Sequence, residues 1–88
     1  MAFYNVVLKP SVERDLRSLP KSTIARVLTK IEELGRDPFP RQTVKLEGGE
    51  GFFRIRVGDY RIIYGVNLLA KEVTIHHVRH RREAYRKL

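Results

Sequence analysis

The stretch that most constrains this chain is FFRIRVGDYRIIYGV, residues 52–66. Two runs rich in β-branched and aromatic residues, 52–57 and 60–66, flank Gly58-Asp59, and glycine at the first of two loop positions suits a type II′ hairpin turn. The turn sets the register. Val57 faces Tyr60, Arg56 faces Arg61, Ile55 faces Ile62 and Arg54 faces Ile63, and a four-residue loop would keep the same pairs. Because side chains alternate across a strand, Phe53, Ile55, Val57, Tyr60, Ile62 and Tyr64 share one face and Arg54, Arg56 and Arg61 the other. The first face reads as core. On the second, opposed like charges repel, so the cluster is either an anion site or a set of solvated arginines with splayed heads. The hairpin alone leaves both readings open.

The 88 residues support one domain, spanning 1–88, with a modest core. A composition 42% hydrophobic and 32% charged is that of a folding chain rather than a disordered one, and no apolar run is long enough to span a bilayer. The opening MAFYNVVLKP lacks the features of a signal peptide, and zero cysteines exclude disulfides, thiol catalysis and thiolate metal sites; the expectation is a cytoplasmic protein with no membrane partner. A net charge of +8 points to a polyanionic partner, nucleic acid before a membrane surface. Residues 1–40 carry 7 basic and 5 acidic side chains and residues 41–88 carry 11 and 5, so the electrostatics lie in the second half.

Residues 3–8, FYNVVL, read as a first strand. Ser11 stands where an N-cap belongs, and Val12, Leu16 and Leu19 repeat at helical spacing up to Pro20. Pro20 can open a second helix whose stripe of Ile24, Val27, Leu28, Ile31 and Leu34 ends at Gly35, a candidate C′ residue. Residues 36–51 hold two prolines and three glycines and read as a flexible connector, extended over 43–46, whose Arg41, Lys45, Glu47 and Glu50 can reach over the arginines. After the hairpin, 67–71 make a turn and 72–78 a further strand, two-sided in pattern, so its core face is open. His76 and His77, being adjacent, fall on opposite faces and cannot share a metal. RHRREAY follows at 79–85, and the tail reads as a helical turn.

These elements make an α+β domain: an N-terminal strand, an antiparallel helical hairpin, then three antiparallel strands in a mostly antiparallel four-stranded sheet, with a short C-terminal helical turn. Helices cover one face. The other, solvent-facing, carries the arginines and could hold a nucleic-acid strand.

The order of elements, the hairpin FRIRVGDYRIIY and the ending VRHRREAY resemble the RelE/ParE superfamily of toxins from toxin–antitoxin pairs, and more closely its RelE branch; the likeness covers residues 3–86. It implies a ribosome-dependent, metal-independent endoribonuclease that cuts mRNA in the A site, needs no cofactor and is held inactive in a hetero-oligomeric complex by a RelB-like antitoxin. By the same resemblance Arg61 matches the arginine that grips the scissile phosphate. His80 and Arg81 match a histidine or lysine followed by a catalytic arginine, and Tyr85 an aromatic that stacks on the nucleotide. Arg54 and Arg56 stand where several relatives have lysine; with Lys45, Arg79 and Arg82 they are the expected RNA and phosphate contacts.

RNA cleavage without a metal needs a base for the 2′-hydroxyl, a counter-charge for the phosphorane and a proton for the leaving 5′-oxygen. Arginines serve the second task through charge-assisted hydrogen bonds but are poor proton acceptors. His80 is therefore the expected base, Arg81 the stabiliser and possible proton donor, Tyr85 the stacking residue. Two other functions fit the same chain: a ParE-like inhibitor of DNA gyrase, and a non-catalytic RNA- or ribosome-binding module. Without the resemblance, His80 reads as a surface histidine.

Overall fold

A computed structural model describes residues 3–46 and 51–84. The elements run β1 (Asn5–Leu8), α1 (Pro10–Arg17), α2 (Lys21–Arg36), β2 (Val44–Lys45), β3 (Phe52–Val57), β4 (Tyr60–Asn67), β5 (Glu72–His80) and α3 (Arg81–Ala84). The architecture is the expected α+β one, with one strand more than the four foreseen. Val44 and Lys45 pair antiparallel with β3, giving a five-stranded sheet in the order β1-β5-β4-β3-β2. Among the described residues only β1 runs parallel to its neighbour, β5.

The hairpin takes the register read from its turn, Arg56 opposite Arg61 included. Gly58 has φ +58° while Asp59 is not among the positive-φ residues, as a type II′ turn requires. The helical stretches fall where expected, with different ends. Pro10 begins α1, which leaves Lys9 as the N-cap. Ser11 sits inside the helix, and its hydroxyl donates to the His76 carbonyl at 2.6 Å. Gly35 is not a C′ residue but lies within α2, buried, because β1 crosses there. A Cβ at Gly35 would meet Val6 Cγ2 at 2.9 Å, and the Tyr4 amide donates to the Gly35 carbonyl at 2.7 Å.

Val12 from α1 and Val27, Ile31 and Leu34 from α2 pack on Ile55, Val57, Ile62, Tyr64, Val73, Ile75 and Val78, with Phe53 and Tyr60 against them, so the predicted apolar face of the hairpin is the core. Leu28, counted in the helical stripe, is 44% exposed. The connector after α2 is anchored over 38–46. Tyr64 Oη donates to the Pro38 carbonyl and bonds Thr43 Oγ1, both at 2.8 Å, and Phe39 packs edge-on against Phe53. Burial, more than any neighbour, pushes the Tyr64 phenol pKa above its ordinary value. Glu47 and Glu50 lie outside the described residues.

β5 departs from simple alternation. Tyr64 pairs with Ile75 and Ile63 with His77, so His76 is an extra residue, a β-bulge. Val73, Ile75 and Val78 thereby all reach the core, while His77 joins the face of Ile63. His76 is on that face too: a Cβ built on Gly65, the next residue of β4 on the face of Ile63, would lie 3.3 Å from His76 Nε2. The two histidines are thus on one face, contrary to the parity count. The bulge is the reason.

Candidate nucleic-acid interface

On the face away from the helices, cross-strand pairing sets side chains in rows. Arg56, Arg61 and Arg79 are partners across β3, β4 and β5; Arg54, Ile63 and His77 form the next row, and Phe52, Gly65 and Thr74 a third. The structure thus brings together Arg54, Arg56, Arg61 and Arg79 of the predicted set.

Arg61 was expected to face solvent and is instead buried, 8% exposed. It lies on the central strand between two cationic neighbours, and its guanidinium folds down onto the backbone. Nη1 donates to the carbonyls of Gly58 at 3.2 Å and Tyr60 at 3.1 Å, while Arg56 Nε donates to the same Gly58 oxygen at 3.1 Å. A carbonyl oxygen shared by two guanidiniums offsets part of their repulsion and holds both in place. The solvated, splayed arrangement is not what forms. The two guanidiniums thus hold fixed positive charge on this face of the sheet.

Arg79 is steadied from the sheet edge. Asp15, on α1, accepts from the Val78 amide at 2.9 Å and holds its carboxylate 3.7 Å from Arg79 Nε and 3.6 Å from His77 Nδ1. Arg79 Nη2 is 3.1 Å from His77 Nδ1. His76 has its pKa lowered from the ordinary histidine value, first by burial and then by the charges of Lys9 and His77.

Other predicted residues do not join these rows. Lys45 pairs with Phe53, so it stands on the helix side of the outer edge. His80 pairs with Tyr60, whose ring it meets edge-on at 5.4 Å, and Tyr60 packs against the core. His80 is therefore across the sheet from Arg61, because Arg79 and His80, the partners of Arg61 and Tyr60, alternate normally past the bulge. Arg81 and Arg82 are exposed at the start of α3, which the Arg81 amide ties to the hairpin turn through the Asp59 carbonyl at 2.7 Å. Asp59, His80, Arg81, Arg82 and Glu83 line an open hollow there. Tyr85 lies outside the described residues. Sequence reasoning missed Phe52, His76, His77 and Asp15 on or beside this face; the adjacent histidines were visible, but nothing local announced the bulge.

Among the described residues no group of three or more His, Cys, Asp or Glu side chains could hold a metal, and no helix is long and apolar enough to cross a membrane.

A family model described as the ParE toxin of type II toxin–antitoxin systems matches residues 6–85. A chain of an archaeal RelE–RelB complex from Pyrococcus horikoshii is 36% identical, with a TM-score of 0.80 over 91% of this chain and 97% of that one. A chain of the RelBE2 toxin–antitoxin complex of Mycobacterium tuberculosis is 32% identical, with a TM-score of 0.79 over 90% of this chain and 99% of that one. A Methanocaldococcus jannaschii sequence named as the toxin RelE1 is 29% identical over 86 residues, 94% of this chain and 96% of its own length.

Proposed function

Since this chain belongs to the RelE/ParE family of toxins of type II toxin–antitoxin systems, we propose that it acts as a RelE-like endoribonuclease. On this reading it cleaves mRNA in the ribosomal A site by attack of the 2′-hydroxyl on the adjacent phosphorus. The observation that carries the proposal is buried Arg61, locked onto the turn carbonyls between Arg56 and Arg79. Those three are the phosphate clamp. Positive charge fixed before the substrate arrives is worth most where charge develops, on the phosphorane oxygens. Arg54 and Arg82 contact the flanking backbone, and Arg81, exposed at the rim, stabilises the leaving group. The arginines donate, and His80, the proton acceptor on this reading, is on the far face at the end of β5, beside Arg81.

The partner on this reading is a RelB-like antitoxin in a hetero-oligomeric complex, as in the P. horikoshii and M. tuberculosis relatives. One observation favours a second reading, inhibition of DNA gyrase: the matching family model is described by its ParE member. Primer extension on translated mRNA after induction, beside a gyrase supercoiling assay, separates the two. Cleavage with normal supercoiling is expected, and Arg81→Ala should abolish cleavage and relieve growth arrest. Blocked supercoiling with intact transcripts would refute the ribonuclease reading.

A further inference from the structure

We propose that Phe52 and His76 form a stacking platform for one nucleobase of single-stranded RNA, beside the arginine rows. The inference rests on the ribonuclease reading. The two rings meet edge to face with centroids 4.9 Å apart and planes at 78°. They come from β3 and β5, which are not neighbours, and meet across Gly65 of β4. A Cβ at Gly65 would lie 3.3 Å from His76 Nε2 and 3.4 Å from the Gly51 carbonyl, so the missing side chain is what lets the imidazole lie over the central strand. The bulge at His76 turns the ring to this face.

Both rings are half-buried, which leaves part of each accessible, and buried Ile63 extends the apolar floor toward the arginines. An edge-to-face pair cannot use up both faces of both rings. Phe52 and Arg54 are two residues apart on one strand face, about 7 Å, so a nucleotide chain with its phosphate on the arginines carries a base within reach of the rings. Burial and the neighbouring charges of Lys9 and His77 keep the His76 imidazole uncharged near neutral pH. The ring then offers a π surface and not a further cation. Stacking of this kind tolerates any base, because every base has a π face.

The test uses a short 2′-O-methylated RNA oligonucleotide, which cannot be cleaved, labelled for fluorescence anisotropy and scanned with single abasic positions. Against the wild-type chain one abasic position should weaken binding roughly 5- to 150-fold, the range that loss of one stacked base implies. Phe52→Leu should weaken the intact oligonucleotide by a similar factor, and the abasic change should then cost nothing more. The salt slope should stay unchanged for Phe52→Leu, while Arg56→Ala should lower it by about 0.7. Salt-dependent binding that is indifferent to every abasic position, or abasic and Phe52→Leu effects that simply multiply, would overturn the platform and leave the ribonuclease reading standing. Absence of salt-dependent RNA binding would likewise overturn the platform, while the ribonuclease reading stands or falls on primer extension with translated mRNA. The abasic scan of the wild-type chain is independent of how well any variant folds.

Discussion

Arg61→Ala sets a structural cost against a chemical one, and the magnitudes decide between them. Among its contacts the variant loses two to the backbone, Nη1 to Gly58 at 3.2 Å and to Tyr60 at 3.1 Å. Hydrogen bonds from charged donors are worth about 1.5–3 kcal/mol each. Against this, the variant relieves repulsion. Arg56 Nε and Arg61 Nη1 both lie within 3.2 Å of one oxygen, so they are at most about 6 Å apart, and two unit charges at that distance repel by about 3 kcal/mol at an effective dielectric of 20 and under 1 kcal/mol in water. The Gly58 oxygen also keeps Arg56. Two such bonds amount to about 3–6 kcal/mol and the relieved repulsion to about 1–3 kcal/mol, so the net loss is about 0–5 kcal/mol, each kcal/mol lowering Tm by about 4–8 °C for a domain of this size. At the middle of that range, about 2–3 kcal/mol, a domain with about 5–15 kcal/mol of stability stays folded. Removing one preorganised donor from a developing oxyanion, by contrast, costs about 10²–10³ in rate. Cleavage of translated mRNA, read by primer extension, should therefore fall by that factor while circular dichroism shows a folded chain. Cleavage retained within tenfold of wild type would refute the clamp. Loss of the folded circular-dichroism signal at the assay temperature would make Arg61 a structural residue.

Three further outcomes follow from named contacts. The His76 pKa is lowered on folding, so the unfolded chain takes up the proton first; stability is fully present above the ordinary value of 6.5 and is lost as pH falls below it. Tm should drop between pH 7 and pH 5, and His76→Phe, which keeps a ring against Phe52 but does not titrate, should flatten that slope. Asp15→Ala strands the Val78 amide and should cost about 1–3 kcal/mol in denaturant titration, whereas Asp15→Asn, which still offers an acceptor, should cost less. Gly35→Ala should destabilise despite a helix-propensity gain of up to about 1 kcal/mol, because its Cβ meets Val6 Cγ2 at 2.9 Å and overpacking costs about 1–3 kcal/mol; a raised Tm would show that β1 shifts freely.

Much of the fold was legible because its signals are local. The turn at Gly58-Asp59 dictates the register of β3 and β4 by itself, and that register puts Arg56 against Arg61 whatever surrounds them. The helical stripes and the apolar side of the hairpin follow from spacing in the same way. Val44 and Lys45 were harder, since two residues carry little pattern and become a strand only because β3 offers them an edge.

What the sequence by itself determined is therefore the arginine pair, its opposition across the hairpin and the core beneath it. The tertiary structure decided which other residues join that pair. Parity counting along β5 fails at His76, because a bulge exists only relative to the strand beside it; the inserted residue brings His76 and His77 to the arginine face and Val78 to the core. The same long-range pairing sets Arg79 beside Arg61 and leaves His80 against Tyr60. Burial of Arg61 is likewise a tertiary outcome. It depends on neighbours from β3 and β5 and on carbonyls that the turn points back at its guanidinium, none of which the strand's own alternation encodes.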